Sequence, residues 1–200
     1  MKEISVIILA GGESRRMEHP KAFLKFDKNR TFVEKIIDEY ANAGINKIIL
    51  VINAFALNSE NEIILSHLDK NITVIYNRNP EKGRLYSLSL GLAELDTIKG
   101  CFIQNIDNPF VNSSLLKKMT PLISIDSYVS PTYNNKGGHP ILISKSIIET
   151  FLENDDASVT LRNKLEKFNR IVMPANEDVL ININTVEEYI KYFSNKRSRK

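Results

Sequence analysis

Short runs rich in Ile and Val alternate with segments of helical period along the first hundred residues, and nothing else in the chain constrains its fold as strongly. Residues 4–9, 47–52, 72–76 and 101–106 are bounded by Gly, Asn or Pro and read as buried strands. Between them, residues 31–43 place Phe32, Ile36, Ile37 and Tyr40 on one helical face, and Thr31 with Glu34 forms a capping box at its start. Residues 59–68 and 86–95 are the next two helices expected. Strand and helix alternating at this spacing predict right-handed crossovers and a mostly parallel sheet.

After about residue 120 the rhythm changes. Residues 128–131 and 140–144 read as strands around the turn Asn134-Asn135-Lys136-Gly137-Gly138, an antiparallel hairpin insertion. Helices are expected over 145–152 and 159–168, strands over 170–173 and 179–183, and a last helix from Thr185 through Phe193, begun by a second Thr-x-x-Glu. The expected architecture is a single α/β domain over 1–193, a three-layer sandwich built on a Rossmann-like, mostly parallel sheet, with a basic, disordered tail over 194–200.

Composition removes several classes. With 42% apolar and 26% charged residues, the chain has the makeup of a globular protein. No run approaches the roughly 18 apolar residues of a membrane span. The apolar start is broken by Ser5 and runs into Gly11-Gly12, too short for a secretory signal. One cysteine, Cys101, allows neither an internal disulfide nor a two-cysteine zinc site, and the cytoplasm is the expected location. The net charge of +3 comes from Lys196, Arg197, Arg199 and Lys200, so the rest of the chain is slightly negative and nucleic acid is not an expected partner. His19, His67 and His139 lack metal-ligand spacing.

Four segments carry possible chemistry. The first strand ends in Leu9-Ala10-Gly11-Gly12-Glu13-Ser14-Arg15-Arg16-Met17, followed by Pro20-Lys21. Two glycines after a strand let backbone amides approach an anion, and Arg15, Arg16, Lys21 and Lys25 bring cations suited to a triphosphate. The alternative is a turn with solvated charges. Asp107, ahead of Asn108-Pro109, is placed to hold a hard cation such as Mg2+, or to serve as a turn acid. Asn182 and Asn184 would share a strand face and point at one ligand, or simply shape the turn before the last helix. Gly83, Arg84, Ser87 and Gly91 open a helix after the third strand, where small residues admit either a ligand or close packing.

Together these segments resemble the MobA-like NTP transferases, the family of the molybdenum-cofactor guanylyltransferase and cytidylyltransferase. LAGGESRRM with Pro20-Lys21 is similar to the family signature LAGGxGxRMxxxxPK, with Ser14 where many relatives carry a second glycine. Asp107 and Pro109 match the metal-binding D-x-P, and Gly138-His139-Pro140 is similar to the G-H-P of the cytidylyltransferase branch. NINTVEEY resembles the terminal (D/N)-x-(D/N)-T-P-E-(D/E), with asparagines as in the guanylyltransferase branch. The resemblance implies a nucleotide-diphospho-sugar transferase-like fold and transfer of NMP from an NTP to a phosphorylated acceptor such as molybdopterin, with release of pyrophosphate. It implies phosphate contacts from Leu9, Ala10, Gly11, Gly12, Ser14, Arg15, Arg16 and Lys21, and Mg2+ on Asp107 assisted by Asn182 or Asn184. Gly83, Arg84 and Ser87 would lie near nucleotide or acceptor; their segment looks cytidylyl-type, favouring CTP, whereas the asparagines favour GTP. Sugar phosphates and small phosphorylated alcohols are alternative acceptors, and a nucleotide-binding regulatory protein without turnover is the alternative from another class.

Overall fold

A computed structural model of the chain describes residues 3–12, 16–17, 19–96, 98–153 and 160–193. Strand β1 (Ile4–Ala10) has parallel neighbours on both sides, β2 (Lys47–Asn53) and β4 (Gly100–Asn105), and β3 (Ile72–Asn77) adds outside β2. Beyond β4 the direction reverses. Strand β7 (Ile141–Ser144) runs antiparallel to β4, and β5 (Ser127–Tyr133) antiparallel to β7. Strand β8 (Asn169–Pro174) pairs parallel with β5, and the two-residue β6 (Lys136–Gly137) closes a hairpin on its end. The eight strands form one sheet in an α/β fold.

Every residue of β1 is buried because helices cover both faces of the sheet. Val6 and Ile8 pack with Phe32, Ile36 and Tyr40 of α1 (Phe32–Asn42), together with Leu116 of α4 (Ser113–Met119) and Phe193 of α7 (Val186–Phe193). Ile7 and Leu9 pack on the other side with Leu88 and Leu92 of α3 (Gly83–Leu92). Phe151 of α5 (Lys145–Glu153) and Leu165 of α6 (Leu161–Leu165) complete that layer. The outer helix α2 (Ser59–Ser66) begins at an Asn58 cap. The Thr31 capping box is present, with the Thr31 amide donating to the Glu34 carboxylate at 2.7 Å.

Three expectations need correction. The strand over 179–183 does not form: Glu177–Leu180 is a 3-10 turn and an irregular segment follows. Its polar groups bond elsewhere, since Asn108 Nδ2 donates to the carbonyls of Asp178 and Ile181 at 3.1 and 2.6 Å. His139 N–H donates to Val179 O, and Ile183 N–H to Asp107 O. A segment tied down this way has no need of a sheet neighbour. Second, α4 has no counterpart in the sequence reading; Asn112 caps it by accepting from Leu115 N–H. Third, the hairpin turns on Asn134 and Asn135 alone, with φ of 47° and 61°, and Gly138-His139-Pro140 separates β6 from β7. Ser14, Arg15, Val159 and the basic tail lie outside the described residues. Among the described residues no helix is long and apolar enough to cross a membrane.

Candidate active site

Parallel pairing gathers the carboxyl ends of β1 to β4 along one edge, and β1 sits where the chain order reverses, β2 on one side and β4 on the other. A cleft of about 230 Å³ opens there. Leu9, Ala10, Gly11 and Gly12 form one wall, Gly83, Arg84 and Ser87 another, and Lys21 and Asp107 lie at its side. Asn105, from the end of β4, also lines it.

The glycines have distinct tasks. A Cβ on Gly11 would fall 2.6 Å from Ser87 Oγ, so glycine lets the loop lie directly on α3. Ser87 Oγ is fixed there, accepting from Asn77 Nδ2 at 3.0 Å and donating to Gly83 O at 3.3 Å. A Cβ on Gly12 would meet nothing within 4 Å, so open space lies beside its backbone. Gly83 adopts φ +83°, a left-handed conformation that suits glycine at the start of α3. Gly91, by contrast, serves packing: a Cβ there would meet Ile7 Cγ2 at 2.7 Å.

Lys21, carried on the 3-10 turn Lys21–Phe23, donates to Asn184 Oδ1 at 2.7 Å and lies 4.0 Å from Asp107 Oδ2. Burial lowers its pKa, the Asp107 charge works against that, and Arg16 adds to it. Arg16 is exposed and does not line the cleft, yet stands near enough for this effect. Burial raises the Asp107 pKa, opposed by Lys21 and Arg84. Arg84 is exposed to the cleft, and the surrounding walls still lower its pKa by desolvation against the attraction of Asp107.

Two buried oxygens, Asp107 Oδ1 and Asn182 Oδ1, have no hydrogen-bonding partner. Their segments are joined by the 2.7 Å bond from Ile183 N–H to Asp107 O. Unpartnered oxygen donors are what a hard divalent cation takes up, with phosphate oxygens and water completing its shell. Among the described residues no group of three or more His, Cys, Asp or Glu could hold a metal ion. The strand expected to set Asn182 and Asn184 on one face is absent; Asn184 Oδ1 accepts from Lys21 and Asn182 Nδ2 donates to Leu180 O.

Sequence reasoning missed Asn105 and Asn108, because an asparagine at a strand end carries no distinguishing pattern. Asn108 is fully buried and clamps the chain after β8 against the Asp107 loop. Its own loop is held in turn by Gln104 Nε2, which donates to Asn108 O, while Gln104 Oε1 accepts from Tyr40. His139 reaches the same edge because β7 is antiparallel to β4, and its Nε2 lies 3.1 Å from Asn105 Nδ2.

Residues 6–171 match the model of the MobA-like NTP transferase domain. The chain is 27% identical over 190 residues to the molybdenum cofactor cytidylyltransferase of Escherichia coli (strain K12), covering 95% of each. Its fold is similar to that of a nucleotidyl transferase from Methanothermobacter thermautotroptrophicus, with a TM-score of 0.79, 19% identity and 100% of both chains covered. It is also similar to the CTP:phosphocholine cytidylyltransferase of Streptococcus pneumoniae, with a TM-score of 0.68, 17% identity, and 97% and 99% of the two chains covered.

Proposed function

The chain belongs to the MobA-like NTP transferase family, and from that premise we propose that it transfers NMP from CTP or GTP to a phosphorylated acceptor such as molybdopterin, releasing pyrophosphate. The observation that carries this reading is the meeting of the Gly11-Gly12 loop, Lys21, Arg84 and Asp107 around one cleft. CTP is the first choice, since a relative matched over 95% of the chain is a cytidylyltransferase. A sugar phosphate or small phosphorylated alcohol remains the alternative acceptor. The lone thiol of Cys101 fits a cytoplasmic setting.

In this reaction an oxygen of the acceptor phosphate bonds to the α-phosphorus while the bond from that phosphorus to the bridging oxygen breaks, and pyrophosphate leaves. The acceptor oxygen is already ionised at neutral pH, so no general base is required. Catalysis is then a matter of alignment and of charge neutralisation on the leaving group. The amides of Gly11 and Gly12 face the phosphates, Lys21 and Arg16 supply positive charge, and Arg84 stands on the acceptor side. Mg2+ is the proposed cation; Asp107 with Asn182 would hold it, and it would supply charge neutralisation at the phosphates. Asn184 fixes the Lys21 ammonium, which also lies 4.0 Å from Asp107 Oδ2.

Pyrophosphate release measured across four NTPs with Mg2+ and candidate acceptors tests this. Asp107→Ala should lower turnover by about a hundredfold or more while NTP still binds, as expected for a group acting on transition-state charge. Full turnover in Asp107→Ala, or no NTP binding by the wild-type chain, would overturn the assignment.

A further inference from the structure

A second cavity, of about 780 Å³, lies where Tyr128 and Ser130 of β5 and Arg170 of β8 face Leu161 and Leu165 of α6. Four cations from four elements converge on it: Arg84 of α3, Lys136 of β6, Arg162 of α6 and Arg170. Glu166 is its one acidic residue. Among the described residues, none of the four cations forms an ion pair. Like charges gathered in a concavity repel one another, and an anion placed between them removes that cost.

The Arg170 guanidinium is held in position. Nη2 donates to Ser130 Oγ at 3.3 Å and passes over Gly137, where a Cβ would stand 2.5 Å away. The cavity borders the first cleft: Arg84 lines both. The seam between them is the contact of Asn105, lining the first, with His139, lining the second. With Asn105 Nδ2 donating to Nε2, the neutral His139 ring carries its hydrogen on Nδ1, a buried atom with no partner in the protein.

We propose that this second cavity seats the acceptor and selects one bearing a further anionic group away from the reacting phosphate, with Arg170 and Arg162 as its counter-charges. The His139 Nδ1–H then donates to the acceptor between its two anionic ends. The proposal rests on the nucleotidyl-transfer reading for the direction of its ligand, and it ranks cationic acceptors lowest, because four cations line the cavity against the single carboxylate of Glu166.

Calorimetric titration of the full chain, with and without CTP and Mg2+, uses three probes: glycerol 1-phosphate, 3-phosphoglycerate and phosphocholine. The expected result is 3-phosphoglycerate about tenfold tighter than glycerol 1-phosphate, the worth of one charge-assisted hydrogen bond, and phosphocholine weakest. Arg170→Gln and Arg162→Gln should each remove most of that preference and leave glycerol 1-phosphate within about twofold, while Arg170→Lys, which keeps the charge, restores part of it. A thermal melt of each variant separates loss of a contact from loss of the fold. Equal affinity for the three probes, a preference that survives both substitutions, or no binding of any probe would overturn the proposal. Failure of CTP and GTP to bind would sink the nucleotidyl-transfer reading instead, and the 3-phosphoglycerate preference stays measurable without nucleotide.

Discussion

At Gly91 two opposed effects of one methyl group can be weighed. Alanine in place of glycine stabilises a helix interior by about 1 kcal/mol. Here the added Cβ would stand 2.7 Å from Cγ2 of the fully buried Ile7, and overpacking a core costs about 1–3 kcal/mol. Packing wins, so Gly91→Ala should lose about 1 kcal/mol in urea denaturation with nucleotide affinity unchanged. A pH effect belongs to His139, whose pKa burial and the Arg84 charge lower to about 4. The unfolded ring takes up its proton near 6.5, before the folded one, so acid favours unfolding in the window from 6.5 to about 4. The stabilisation is complete above that window and is lost as pH falls through it. His139→Gln should flatten this part of the stability profile, measured by denaturant titration at each pH. That the glycine pair and Asp107 follow strand ends was legible from type and place alone, and the structure sets them around one cleft; His139 gained its position only from a reversed strand.

Among the elements, the segment after β8 shows how a few side chains replace a ladder. Asn108 gives its amide hydrogens to two carbonyls of that segment, and the segment in turn supplies Asn184 to Lys21. Asn108→Ala removes the amide donor to the Ile181 carbonyl, while the Asp178 carbonyl keeps its bond from Ile181 N–H, at a cost of about 1–2 kcal/mol. It should also loosen the Lys21 contact, giving faster proteolysis within 177–184 and weaker NTP binding by titration. Ile-rich alternation made 179–183 look like a strand, because pattern reports which residues are apolar and not where their backbone partners are. The opposite error concerns α4. Its SSLLKKM stretch is too short to show a period, and its place depends on contacts from α1. Ser113 N–H donates to Glu39 at 2.8 Å, and the buried Lys35 ammonium donates to Val111 O while pairing with Glu39.

Across the whole molecule, the four parallel strands β1 to β4 build the first cleft, and β5 to β8 with α6 build the second cavity. Strands β1 to β4 send their carboxyl ends to one edge, where the Gly11 loop and Asp107 meet. The antiparallel β7 returns His139 to that edge, and Arg170 of β8, in register with Tyr128 of β5, lines the second cavity. The sequence by itself determined the strand–helix rhythm, the two Thr-x-x-Glu helix starts, the glycine turn and the acid after β4. These are local: propensity, period and capping act within a few residues, and each is written in adjacent letters. Only the tertiary structure decided that Lys21 meets Asn184 across 163 positions, that Asn182 keeps a buried oxygen unpaired, and that four cations surround a second cavity. Such meetings depend on strand order and direction, which long-range packing selects and no short stretch of sequence encodes.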